Sequence, residues 1–379
     1  MTYSTDPVEL TRALVAFDTI NPPGNERPCA EYLGKLLDAA GFTITYHEFD
    51  DTRTSLVARI GGGADDIPPL CFTGHIDTVP LGAAPWSVAP FAGEISDGKL
   101  YGRGTSDMKS GVAAFVVACT QLADELADGP GVVLVITAGE ETGCEGAYHM
   151  AGLGNVLGKA GAIVVAEPTC NTPLIGHKGA IWLKAITTGI TAHGSMPEKG
   201  DNAVYKAARV ISKLEDFDFN IARDEILGKP TLNVGTVHGG LNVNSVPDAT
   251  EVGIDIRTTP GQDHHKVQTD LAGYLGEHVW LDAFVNVGGV LSDPNNEWLQ
   301  DVFDVMTGIL GERPDVKTAP YFTDASALTP AYGGVPTVIL GPGETAMAHQ
   351  TDEYCVVERI GQAVDAYIEI ATRWNARTG

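Results

Sequence analysis

Apolar residues over the first 169 positions come in short, β-rich runs separated by amphipathic stretches, the pattern of a sheet with helices on its faces. Three runs predict buried strands: 70–73 leading into GHID, 131–138 into GEE, and 162–166 into Glu167, each ending in glycine or an acid. Between the first two, SGVAAFVVACTQLADEL at 110–126 carries apolar positions at helical spacing and predicts one helix packed on the sheet, starting just after Asp107. From His177 the texture changes. Strand-like IWLKAITTGI, a helix over 202–214, strands in LNVGTV and TEVGIDIRTT, a helix over 264–275 and the strand LDAFVNV follow in turn. That βαββαβ order predicts a ferredoxin-like α+β unit, a four-stranded sheet with two helices on one face. After Gly289 the α/β pattern resumes, with a helix over 298–310, a strand over 337–340 and a final helix over 358–375. The expected architecture is therefore an α/β domain made of residues 1–176 and 289–379, interrupted by an inserted domain at 177–288.

Composition narrows the partners. The 379 residues carry 24 Lys and Arg against 49 Asp and Glu, a formal charge of −25 that disfavours nucleic acid, anionic membrane surfaces and polyanionic ligands. With 44% hydrophobic and 19% charged residues, the chain has the apolar material for a sizeable core. The opening MTYSTDPVEL lacks a basic start and an apolar signal segment, and no apolar run approaches the roughly 20 residues of a membrane span. Six cysteines without a CxxC pair fit reduced thiols, so a cytoplasmic protein is expected.

The ten histidines are scattered, and the informative ones sit beside acids at strand ends. In FTGHIDTVP, His75 and Asp77 lie two apart. If strand alternation persists there, they face the same way and Asp77 can orient the imidazole of a metal-bound His75. A polar turn accounts for the pair equally well. Asp107 lies in YGRGTSDMKSG, where its carboxylate can face a shared cavity or cap the following helix. Gly102 and Gly104 open a GxGxxG-like pattern, but Asp107 holds its sixth place and would repel a pyrophosphate, so the dinucleotide reading fails. Glu140 and Glu141 follow the apolar run VVLVITAG, a costly place for adjacent anions unless cations or raised pKa values relieve them. Their side chains point to opposite sides, so one can hold a metal while the other reaches a water. Glu167 closes the next run, AIVVAEPT, and His349 in GPGETAMAHQTDEY returns a second imidazole. Two histidines with three or four carboxylates suit a pair of zinc ions better than one closed structural zinc. Helix caps, solvated acids and unrelated histidines are the alternative.

Across nearly its whole length the chain resembles the co-catalytic di-zinc aminoacylase family that contains acetylornithine deacetylase, succinyl-diaminopimelate desuccinylase, aminoacylase and glutamate carboxypeptidase. The segments that carry the resemblance are NPPGNE, GHIDTVP, GRGTSDMKSG, GEETG, AEPT, AHGSMPEKGDNAV, GGLNVNSVP, DIRTTPG, and GPG followed by HQTDEY. It implies that Asp107 bridges two divalent ions, zinc first with cobalt or manganese as substitutes. His75 and Glu167 complete one site, and Glu141 and His349 the other. Glu140 becomes the general base, with ions about 3.5 to 4 Å apart activating water and polarising the scissile carbonyl. A cis peptide after Asp107 is implied as well. The inserted domain is implied to make a homodimer in which His193 serves the partner's site, Asn244 the oxyanion region and Arg257 the substrate α-carboxylate. Gly343 in GPG is placed at the substrate with them, and Asp324 or Glu344 is a candidate to hold a substrate amine. Desuccinylases and aminoacylases of this family carry Arg after their acidic loop motif, whereas FTDAS has Ser326 there. The expected substrate is thus a small N-acyl amino acid, acetyl on a basic residue, as for acetylornithine deacetylase. A desuccinylase, a carboxypeptidase or dipeptidase, and a metal-free binding protein are the other readings.

Overall fold

The structure is a computed structural model that describes residues 5–62 and 67–377; the first four residues of the opening segment read above lie outside it. The chain divides into two compact units. The described residues of Met1–Gly176, Leu291–Ala319 and Thr323–Gly379 form the first, and His177–Val290 with Pro320–Phe322 the second.

A nine-stranded sheet is the frame of the first unit. At its centre, Val132–Thr137, Leu70–His75, Ala162–Val165 and Thr337–Ile339 run side by side and parallel. Parallel strands are covered on both faces, which is why these segments read as unbroken apolar runs, and nearly every residue in them is buried. Their register decides where the chemistry falls. His75 pairs with Thr137, and Val165 lies opposite both Thr73 and Ile339, so four chain segments leave the sheet along one carboxyl-end rim. Open α/β sheets bind their ligands outside such a rim.

The helix expected over 110–126 is two pieces, Ser110–Gln121 and Ala123–Ala127, separated at Leu122. The first ten residues of the longer piece are all buried. It packs between the sheet and the C-terminal helix Val357–Asn375, so burial on every side replaces the single apolar stripe that the spacing suggested. A small antiparallel sheet of Glu94–Ser96, Lys99–Tyr101 and Tyr354–Val356 ties the C-terminal segment to the loop that leads to Asp107.

In the second unit, Thr231–Gly239, Ala249–Thr258, Gly179–Thr188 and Trp280–Val287 form an antiparallel sheet in that spatial order. Helices Ala203–Glu215 and His264–Leu275 cover one face, starting at the capping residues Asn202 and Asp263. Chain order and sheet order together are those of the ferredoxin-like arrangement. Among the described residues, no helix is long and apolar enough to cross a membrane.

Candidate metal centre and active site

His75 is the last residue of its strand and is buried. Its Nδ1 lies 3.0 Å from the Asp77 carbonyl oxygen and 3.4 Å from Asp77 Oδ1. Donation through Nδ1–H leaves the Nε2 lone pair facing the rim, the tautomer a metal requires. That Nε2 is 3.2 Å from Asp107 Oδ1 and 3.8 Å from Glu167 Oε1. Asp107's other oxygen, Oδ2, is 3.5 Å from His349 Nε2, which lies 3.0 Å from Glu141 Oε2. Asp107 therefore stands between two donor groups, one reaching Glu167 and the other Glu141 and His349. The Asp107–Met108 peptide is cis.

Asp77 does more than orient the ring. Its Oδ1 accepts from the Glu140 amide at 3.1 Å, and its Oδ2 from the Glu141 amide at 3.2 Å and from Asn21 Nδ2 at 2.9 Å. One buried carboxylate thus fixes the histidine and the backbone of both glutamates. Single ligand atoms of His75, Glu140 and Glu167 lie within 4.8 Å of one another, as do those of His75, Asp107 and Glu141.

The electrostatics describe a shortage of positive charge. Burial pushes the Glu140 carboxyl well above its ordinary range, and the charges of Glu167, Asp324 and Glu141 push it further against the pull of His75. Glu167 is raised in the same way by burial and by Asp107. Burial also opposes charge on Asp107, yet hydrogen bonds from His349 and His75 hold its carboxyl below the usual range. The converse is that His349 is pushed up to about 10 by those bonds to Asp107 and Glu141. The two imidazoles stand where the buried acids call for positive charge. Glu141 Oε1 is buried without a hydrogen-bond partner, an arrangement that costs about 1–3 kcal/mol unless another group satisfies it. A clustered N/O donor set, mutual repulsion among buried acids and an orphaned carboxylate oxygen all fit divalent cations.

Three further residues expected at the substrate have partners or neighbours of their own. Asp324 is 2% exposed and accepts a short hydrogen bond from Thr137 Oγ1, with its carboxyl raised to about 6 by burial. It is a buried neighbour of Glu140. Glu344 is also committed, to Arg359 Nη1 at 2.7 Å and Cys170 Sγ at 3.1 Å, so its charge is already balanced. Gly343 is buried under the Asp107 loop, where a Cβ would lie 2.1 Å from the Ser106 carbonyl oxygen. Close backbone approach is its evident task.

On the second unit, His193 and Asn244 meet. The Gly194 amide donates to the Asn244 carbonyl at 2.7 Å and the Val246 amide to Ala192 at 2.8 Å, which sets the two side chains on adjoining exposed segments. The His193 ring lies 2.8 Å from Ser195 Oγ. Arg257 is not a free fork: its Nε is 2.9 Å from Asp255 Oδ1, and its guanidinium lies 6.0 Å from the centre of the Trp182 ring.

Residues without an expected role complete the site. Asn21, from NPPGNE, also donates to Thr142 Oγ1 at 2.9 Å and so holds the glutamate loop. Glu353, from HQTDEY, accepts from the backbone amides of the Asp107 loop. Both fall in motifs that carried the resemblance, which was the available signal.

Residues 71–373 match the profile of Peptidase family M20/M25/M40, and the chain belongs to that family. A probable succinyl-diaminopimelate desuccinylase from Staphylococcus epidermidis is 31% identical over 96% of each chain. An acetylornithine deacetylase from Myxococcus xanthus is 33% identical over 91% of each. Among solved structures, an M20 family metallo-carboxypeptidase from Sulfolobus solfataricus superposes with a TM-score of 0.84 at 19% identity, covering 98% of this chain and 100% of the other. A dinuclear metal binding M20 peptidase from Bacillus subtilis does so with a TM-score of 0.71 at 18% identity, covering 98% of each. The protein is a metallohydrolase that acts on amide bonds.

Proposed function

We propose that this protein removes a small neutral acyl group, acetyl above all, from the amino group of a basic amino acid. The observation that carries the reading is the convergence of His75, Asp107, Glu141, Glu167 and His349, with Glu140 beside them, on one rim of the sheet. Those five side chains would hold two divalent ions, zinc in first place and cobalt or manganese as substitutes, with Asp107 shared. When bound, the ions supply Lewis acidity that polarises the scissile carbonyl and makes water more acidic. Glu140 takes the proton from that water and delivers it to the leaving amine, a task matched to a buried carboxyl whose proton affinity is raised. Asp77 keeps the His75 tautomer and the Glu140 backbone in place throughout.

The second unit supplies recognition in this reading. His193 and Asn244 donate to the oxyanion, His193 across a homodimer, and Arg257 exchanges part of its bond to Asp255 for the substrate carboxylate. The choice of acyl group rests on Ser326, which stands where the desuccinylase-like pattern has arginine, so one cation for a second carboxylate is missing. The Myxococcus relative's name agrees with this choice. The Staphylococcus relative's name favours N-succinyl-diaminopimelate as the second reading. Six free cysteines are compatible with a cytoplasmic site of action.

Rates on N-acetylornithine, other N-acetyl amino acids, N-succinyl-diaminopimelate and dipeptides decide between these. The highest kcat/KM is expected on an N-acetyl basic amino acid. A preference for the succinyl compound or for dipeptides would overturn the acyl assignment.

A further inference from the structure

Asp107 can serve two ions only if its backbone is held so that Oδ1 faces His75 and Oδ2 faces His349. The loop that bears it is neither strand nor regular helix, and most of the groups holding its backbone amides come from one distant residue. Glu353 Oε1 accepts from the amides of Ser106 at 2.8 Å and Asp107 at 3.0 Å, while Oε2 accepts from Gly104 at 2.8 Å and from Arg103 Nη1 at 2.7 Å. The Gly102 amide donates to the Glu353 carbonyl at 2.9 Å, and Ser106 Oγ to the Tyr354 carbonyl at 2.6 Å. Glu353 is fully buried, and it lies four residues after His349. The segment that delivers one ligand therefore also grips the backbone of another.

Joining two pieces of chain does not by itself require a buried charge. Burying a carboxylate is unfavourable unless hydrogen bonds and an opposite charge compensate it. Placing that carboxylate next to Asp107 adds repulsion, which Arg103 offsets in direct contact at 2.7 Å. What the carboxylate gains is geometry: two acceptor oxygens in one plane fix the amides of Gly104, Ser106 and Asp107 and leave Glu353 no oxygen free to bind an ion itself. Its neighbour Asp352 makes the contrast. Both Asp352 oxygens go to Ser87, the amide at 2.8 Å and Oγ at 2.8 Å, and so hold a different loop.

We propose that Glu353 is a positioning residue that preorganises Asp107 and His349 as one unit for uptake of both ions; this rests on the two-metal reading above. The test uses the full-length chain stripped of metal and titrated with Zn2+ by calorimetry, with the visible absorption of the Co2+ form as a second readout. The variants are Glu353→Asp, which shortens the reach, Glu353→Gln, which removes the charge, and Asp352→Ala as a control. The wild type binds two equivalents; if it binds none, the metal reading fails before this one is reached. With that met, folded Glu353 variants should bind Zn2+ roughly 10- to 100-fold more weakly and show an altered Co2+ spectrum, with Asp352→Ala unchanged. Wild-type affinity and spectrum in folded Glu353 variants would overturn the proposal, and so would an equal loss in Asp352→Ala. Failure of both Glu353 variants to fold would also overturn it, by making the residue a part of the fold rather than of the centre.

Discussion

Glu140 is 5% exposed and ringed by other acids, which makes it a costly place for a charge and a suitable one for a proton in transit. Glu140→Ala should keep the fold and the metal content while kcat falls by roughly 10²- to 10⁴-fold. Steady-state rates beside metal analysis check this, and unchanged turnover would remove Glu140 from the mechanism. The residues gathered at the rim were legible in position because each follows an apolar run that reads as a buried strand: His75 ends one, and Glu140, Glu141 and Glu167 lie just beyond two others. Asp324 and Glu344 accept hydrogen bonds from Thr137 and Arg359, partners within the chain that a sequence does not display. Glu353 was invisible as a working residue because the amide of Ser106 that it grips lies 247 positions away.

Helices, strands and loops meet behind the glutamates through a second buried pair. Arg53, just before the strand Thr54–Ile60, binds Glu26 at 2.7 and 3.0 Å, at the start of the helix Arg27–Ala39, and reaches Glu145 beyond the glutamate loop at 3.4 Å. Burial raises the Glu26 carboxyl from 4.5 to about 7 despite the Arg53 bond. A raised folded-state pKa means that the folded chain binds more protons between these values than the unfolded one. The stability this group contributes is then complete below 4.5 and is lost as pH rises through about 7. Urea unfolding of the metal-free protein should show wild type gaining on Glu26→Gln as pH falls from 8 to 5. A difference independent of pH would contradict the assignment. The order of strands and helices followed from periodicity, but the break at Leu122 did not, because apolar residues on all sides of 110–119 erase the stripe from which helix packing is read.

At the scale of the molecule, the insertion was legible as a change of period at His177, whereas the inclusion of 320–322 in the second unit was not. Phe322 joins that unit through its ring, 5.9 Å from Trp182, a contact with no signal in the local pattern. The proposed dimer has its own test: mixed and re-annealed His193→Ala and Glu140→Ala chains should regain turnover that neither has alone, and no regain would confine His193 to its own chain or to no role. The exposed acidity, at a formal −25, is screened beyond about 8 Å at physiological salt, so it steers substrate far less than the groups at the rim. The proposed hydrolysis depends on the rim holding ions. Elemental analysis of protein purified without chelator, scored beside amidase activity before and after chelation, measures that directly. Two equivalents of divalent transition metal per chain are expected, with activity lost on chelation and restored by Zn2+ or Co2+. Full activity in protein that carries no such metal would contradict it.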